Sequence, residues 1–134
     1  MSFKLLSNYA VLSSNGDGRS TLGGEEFWTQ PPEEIERTGH DWLVTEHLFT
    51  ASWDYEEIHP EADEFCYVME GSVVLRLEAR DGSDQQSVTL VAGSAFLIPR
   101  NMWHTAEVPE PVRMIFITMG AGTDVRPNVV GSVA

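Results

Sequence analysis

Turn-forming residues break this chain at short intervals, and no segment between the breaks holds a helical period. Gly, Pro, Asn and Asp recur roughly every 8–15 residues, the spacing of an all-β sandwich or barrel. With 134 residues the chain is one domain by length. It can bury roughly two-thirds of the surface its unfolded form exposes.

Asn15-Gly16-Asp17-Gly18 and Gly23-Gly24 are turn signals inside residues 1–31, which read as an extension with one or two short strands. Pro31 to Arg37 reads as a linker, or at most one helical turn. From Trp42 the pattern becomes strongly β. Trp42 to Trp53 is rich in β-branched and aromatic residues, and Phe65 to Met69 is a short buried strand that stops at Glu70-Gly71. Ser72 to Glu78 alternates, so Val73, Leu75 and Leu77 face a core while Arg76 and Glu78 face water. Asp81 to Asp84 is a loop, Ser87 to Val91 a strand, and Ala95 to Ile98 a strand ended by Pro99. Trp103–Val108 and Val112–Thr118 are expected to form a hairpin around Pro109-Glu110-Pro111, with Glu107 meeting Arg113 across it and with Met114 and Phe116 pointing inward. These readings divide the fold unit into an N-terminal extension (1–41), a barrel core (42–119) and a Gly/Pro-rich tail (120–134) that frays or lies across another subunit.

Charge restricts the partners. Twenty-one acidic residues against eight basic ones leave a net charge of −13. Repulsion from phosphates argues against nucleic acid and against an anionic membrane surface. No apolar run approaches the ~18 residues of a membrane span. The first residues, Met1 to Asn8, lack a signal-peptide core. The single cysteine, Cys66, excludes an intrachain disulfide and is expected to be a small buried hydrophobe. Together these make the cytoplasm the expected compartment.

Against this β pattern, four side chains stand out. Glu57 and His59 are two apart on one expected strand and so project to one face. Glu64, Cys66 and Val68 share the face taken as inner, which turns a carboxylate into the barrel. A buried carboxylate needs a cation, donors or a metal. His104 shares a face with the apolar Ala106 and Val108 and also points inward. Two imidazoles and a carboxylate form a facial metal-binding triad, and Glu57 makes a fourth protein ligand for a divalent ion: Mn, Fe, Ni or Zn. The plainer readings are a polar pocket satisfied by protonated His or water, and a Glu57 that faces solvent. His47 reads as a structural or distal-pocket residue, and His40 as exposed. Trp53 and Tyr55 share parity with Glu57 and either line the barrel or belong to its core. Trp103 should face outward beside Met102, as on a covered surface such as a dimer contact.

These residues resemble the two motifs of the cupin superfamily. The first motif reads Gly, five residues, His-x-His, three or four residues, Glu, six residues, Gly. His59, Glu64 and Gly71 match it, with Ala51 in place of the first Gly and Glu57 in place of the first His. The second reads Gly, five residues, Pro-x-Gly, two residues, His, three residues, Asn. Gly93, Pro99 and His104 match it; Asn101 replaces the Gly and Val108 the Asn. Asn tolerates positive φ better than most residues, so Asn101 is expected to take the glycine's conformation. The resemblance spans about Trp42 to Thr118 and is especially close to small single-domain bacterial cupins. It implies a cupin-type jelly-roll β-barrel that holds a metal in its mouth and pairs sheet to sheet as a homodimer.

Two functions follow as expectations. The first is a metal-dependent enzyme acting on a small organic molecule, dioxygenase-like by the resemblance and isomerase-like next. His59, Glu64 and His104 then hold the metal, with Glu57 as a fourth ligand or as a general base; Glu57 and Glu64 are the candidate catalytic carboxylates. Apolar walls favour an aromatic or diketone-like substrate over a sugar phosphate. The alternative is a non-catalytic small-molecule-binding or sensor barrel, which keeps the pocket, needs no open coordination position and has Glu57 turned to solvent.

Overall fold

The computed structural model describes residues 1–128. Eleven strands and two short helices run in the order β1 (Asn8–Leu12), β2 (Gly18–Leu22), α1 (Glu25–Trp28), α2 (Pro32–Thr38), β3 (Trp42–Phe49), β4 (Tyr55–Ile58), β5 (Glu64–Glu70), β6 (Ser72–Ala79), β7 (Gln85–Val91), β8 (Ala95–Ile98), β9 (Met102–Glu107), β10 (Val112–Thr118) and β11 (Asp124–Pro127). They form two antiparallel sheets, ordered β2-β1-β3-β10-β5-β8 and β11-β4-β9-β6-β7. This is an all-β jelly-roll barrel. No helix among the described residues is long and apolar enough to cross a membrane.

Period-two patterning places the core between the sheets. Cys66 and Val68 of β5, Val73, Leu75 and Leu77 of β6, Ala106 of β9 and Met114 and Phe116 of β10 all bury their side chains in one cluster. The buried Cys66 thiol is pushed up to about 12 by that burial, with the Glu64 charge adding to the effect, so it stays protonated. Tyr9, Val11, Phe27 and Leu43 make a second, smaller cluster, with Ile35 of α2 packed against it. That cluster fixes the N-terminal segment onto the first sheet.

The strand assignments agree closely with the alternation, but four expectations need correction. First, Pro32–Thr38 is a full seven-residue helix, not a linker or a single turn. Pro sits at its start, Glu33 and Glu34 fill the first turn, and Arg37 in the last turn pairs with Glu34 at 2.8 Å. Second, β9 and β10 do not form a hairpin. β9 pairs with β4 and β6, whereas β10 pairs with β3 and β5 in the other sheet. Residues 109–111 cross between the sheets, and the two prolines remove N–H donors that a tight hairpin would use. Glu107 therefore pairs with Arg76 at 2.6 Å, and Arg113 lies 3.4 Å from Glu46 and 3.9 Å from Glu70.

Third, Trp103 does face away from the core, but its own chain covers it. The Arg126 guanidinium lies 4.2 Å above the indole ring and pairs with Glu56 at 2.6 Å and Glu78 at 3.0 Å. The apolar feature that suggested a dimer contact is thus satisfied within the chain. Fourth, the first part of the tail does not fray, because β11 pairs with β4 of its own chain. The remainder of the tail, 129–134, lies outside the described residues.

Candidate metal centre

Sheet register brings the four side chains together. Glu57 of β4 lies directly opposite His104 of β9, so both project from the same face of the same sheet. His59 follows the end of β4, just before Pro60. Its carbonyl accepts a 3.0 Å bond from the Asn101 N–H. Asn101 has φ 62°, the left-handed conformation expected where the motif carries Gly, and the turn it makes starts β9. Glu64 reaches in from β5 of the facing sheet.

The donor atoms converge. His59 Nε2 lies 3.4 Å from Glu64 Oε2 and 3.5 Å from Glu57 Oε2, and His104 Nε2 lies 3.4 Å from Glu64 Oε1 and 3.9 Å from Glu57 Oε2. One atom each from Glu57, His59 and His104 falls within 4.8 Å of the others. Metal bonds of about 2.1 Å at tetrahedral angles set ligand atoms about 3.4 Å apart. The spacing therefore fits a single ion.

Hydrogen bonding turns the correct atoms inward. The Thr123 hydroxyl donates to the Gly120 carbonyl at 2.6 Å, so its oxygen accepts from His59 Nδ1, also at 2.6 Å. That leaves His59 Nε2 as the atom offered to the centre. The Thr118 hydroxyl donates to Glu64 Oε2. His104 Nδ1 faces the Met102 carbonyl at a long 3.4 Å. What remains is a set of buried atoms with no partner among the described residues: His59 Nε2, His104 Nε2 and Glu64 Oε1. Buried polar atoms are ordinarily paired, and three orphans in one cluster suit a cation; the set spaced for a single ion is Glu57, His59 and His104, with Glu64 Oε1 3.4 Å from His104 Nε2.

Electrostatics agree. Burial works against protonation of His59, but the Glu57 and Glu64 carboxylates, 3.5 and 3.4 Å from Nε2, outweigh it and raise its pKa to about 10. Burial likewise opposes ionisation of Glu64, yet His104 and His59 hold its carboxyl well below the usual range. The cluster thus carries negative charge that a proton or a metal neutralises.

The centre forms the floor of a cavity of about 660 Å³. Tyr55, Trp53, His47, Phe49 and Phe116 form its barrel walls, and Phe27, Trp28, Ile35 and Thr38 of the N-terminal helices close one side. Trp53 and Tyr55, read as barrel-lining or core, do both: each lines the cavity, and Trp53 is also buried in the core. His47 lies in the cavity wall, away from the donor set. Asp63 is exposed and clamps Arg100 at 3.2 Å, outside the cavity. His40 is exposed. The sequence reading missed Thr118, Thr123 and the helical wall. Thr118 was within reach, because it continues the inward parity of Met114 and Phe116 on β10. Thr123 carries no local signal, since its contact with His59 spans 64 residues. The Phe27-Trp28 pair after Gly23-Gly24 was the available hint for the wall.

A closed double-sheet β-barrel with an imidazole–carboxylate cluster in its mouth defines a small barrel protein with a candidate metal centre. The cupin domain family model matches residues 51–118, and the chain belongs to that family. Solved structures sharing the fold include Peruvianin-I, a cysteine peptidase from Thevetia peruviana latex, at 13% identity and TM-score 0.54, covering 64% of this chain and 56% of that one. An oxalate oxidase in complex with the substrate analogue glycolate aligns at 23% identity and TM-score 0.51, covering 62% and 45%. A variant of Bacillus subtilis oxalate decarboxylase aligns at 19% identity and TM-score 0.54, covering 65% and 24%. The chain thus spans between a quarter and just over half of these proteins, and the likeness is one of fold. No curated protein matches.

Proposed function

We propose that this cupin is a metal-dependent enzyme acting on a small organic molecule, with His59, His104, Glu64 and Glu57 around one divalent ion. The observation that carries this reading is the meeting of three partnerless buried atoms, His59 Nε2, His104 Nε2 and Glu64 Oε1, with Glu57 Oε2 at the floor of a ligand-sized cavity. Iron, manganese, nickel and zinc all suit two nitrogens and two carboxylates. When bound, such an ion supplies Lewis acidity, and iron, manganese or nickel also redox chemistry. The family resemblance supports a dioxygenase-like reaction first and an isomerase-like one second.

The two carboxylates are not equivalent. Glu64 is anchored by Thr118 and its side chain is 6% exposed, which suits a permanent ligand. Glu57 is 27% exposed and lines the cavity, so it is placed to take a proton from a bound substrate. A non-catalytic barrel would leave Glu57 turned to solvent; its inward carboxylate supports the enzyme reading instead.

The test is metal content after purification without chelators and exposure to Mn, Fe, Ni and Zn. Wild type is expected to hold about one ion per chain, Glu64→Ala and His104→Ala to hold none, and Glu57→Gln to hold metal with slowed turnover. Oxygen uptake with small phenols and diketones then addresses the reaction. Wild type that binds none of the four ions stoichiometrically would overturn the proposal.

A further inference from the structure

Thr123 supports His59, and the turn that carries Thr123 is itself held from outside the barrel. The Thr123 N–H and hydroxyl both donate to the Gly120 carbonyl, at 3.0 Å and 2.6 Å, closing the turn 120–123. The two N–H groups in the middle of that turn point away from it. Ala121 N–H donates to the Gly39 carbonyl at 3.0 Å. Gly122 N–H donates to the Glu36 carboxylate, whose oxygens lie 2.9 Å and 3.1 Å away. Both acceptors belong to α2 or to the residue that caps it. The approach is close: Gly39 is buried, and a Cβ there would lie 2.6 Å from the Ala121 nitrogen.

Within α2 the charged side chains divide their work. Glu34 pairs with Arg37 at 2.8 Å, whereas Glu36 reaches Gly122, 86 residues along the chain. Ile35 packs against the cluster of Tyr9, Val11, Phe27 and Leu43, so the helix has an apolar anchor of its own. Loss of the Glu36 carboxylate would therefore release the turn without undocking the helix. A backbone N–H donating to a carboxylate is a charge-assisted bond, stronger than its neutral counterpart. Without it the Gly122 N–H turns to water, and the turn keeps only the Gly39 carbonyl as its hold on the helix. The path from helix to ring is continuous: Glu36 carboxylate, Gly122 N–H, the turn, Thr123 Oγ1, His59 Nδ1.

We infer that Glu36 is a positioning residue for His59: it fixes the 120–123 turn, which holds the Thr123 hydroxyl against His59 Nδ1 and so aims Nε2 into the cluster. The consequence for metal affinity rests on the reading of that cluster as a metal centre. The helical wall of the cavity and the His59 ring are thereby linked, and whatever draws α2 off the barrel also loosens the ring.

The variants are Glu36→Ala, Glu36→Gln, which keeps a side-chain oxygen for the Gly122 N–H, and Glu34→Ala, which breaks the ion pair on the same helix and leaves the turn alone. Two readouts are taken on the full chain. In metal-free protein, NMR follows exchange of the His59 Nδ1–H, identified by its loss in Thr123→Val. Glu36→Ala is expected to speed that exchange at least about threefold, Glu36→Gln to restore it, and Glu34→Ala to leave it at the wild-type rate. In zinc titrations Glu36→Ala is expected to weaken affinity roughly threefold to tenfold, Glu36→Gln to recover most of it, and Glu34→Ala to change nothing. Combined with Thr123→Val, Glu36→Ala is expected to add no further loss, since both act on one hydrogen bond. A role in fold stability alone would lower Tm in Glu36→Ala and leave both readouts unmoved, which overturns the inference. Fully additive losses in the double variant also overturn it, as does a wild type whose Nδ1–H shows no dependence on Thr123. The NMR readout needs no metal, so protein that passes it yet takes up no ion refutes the enzyme proposal alone.

Discussion

At the scale of single residues, the centre depends on hydroxyl groups that set the orientation of its ligands. Thr123 holds His59 Nδ1 and is itself held by the Gly120 carbonyl. Thr123→Val keeps the volume and removes that partner, and metal affinity is expected to fall about 10- to 100-fold while Thr123→Ser restores it. Isothermal titration with zinc checks this, and unchanged affinity in the valine variant would show that Thr123 does not orient the ring. Protonation gives a second test. His59 has a folded pKa of about 10, above its ordinary 6.5, so in metal-free protein its contribution to stability is complete below about pH 6.5 and is lost as pH rises through 10. Glu64 is shifted the other way, so its contribution is present above its ordinary value of 4.5 and is lost in acid as the carboxyl protonates. Metal-free protein is therefore expected to lose Tm between pH 7 and pH 10, and zinc-loaded protein to lose less. Equal alkaline losses, followed by thermal melts, would mean that the His59 proton is not what the metal displaces.

At the scale of elements, alternation and motif spacing made the strands legible, but not their partners. β5, β6, β8 and β10 follow directly from apolar parity and turn residues, because a half-buried strand writes its face into every second position. Parity is the same whichever strand lies alongside, which is why β9 and β10 read as a hairpin when they belong to different sheets. The Arg126 cover over Trp103 was hidden for a related reason: it depends on β11 folding back from a distant part of the chain. By contrast, Gly71 and Asn101 were legible because backbone conformation restricts which residues fit. Gly71 has φ 82°, and a Cβ there would lie 2.3 Å from the Pro111 carbonyl oxygen. Gly71→Ala is therefore expected to destabilise the fold by about 2–4 kcal/mol through strain and backbone collision together. Denaturant unfolding measures it, and a loss below about 0.5 kcal/mol would show that the β5–β6 turn relaxes freely.

At the scale of the whole molecule, the two sheets divide the labour of building the centre. One sheet carries Glu57 and His104, with His59 just beyond the end of β4, and the other supplies Glu64. Barrel closure is what brings the acid to the imidazoles. The N-terminal helices, which local pattern alone did not assign to the site, complete the cavity because their apolar side chains pack onto β1 and β3. Lys and Arg side chains stay outside the cavity while Glu36, Glu57 and Glu64 line it, an excess of acid that prepares the interior for a cation. The most direct test of the account is anomalous diffraction from crystals of the protein loaded with zinc or manganese. A single strong peak within bonding distance of His59 Nε2, His104 Nε2 and Glu64 is predicted. A peak located elsewhere, or none at full loading, would contradict it.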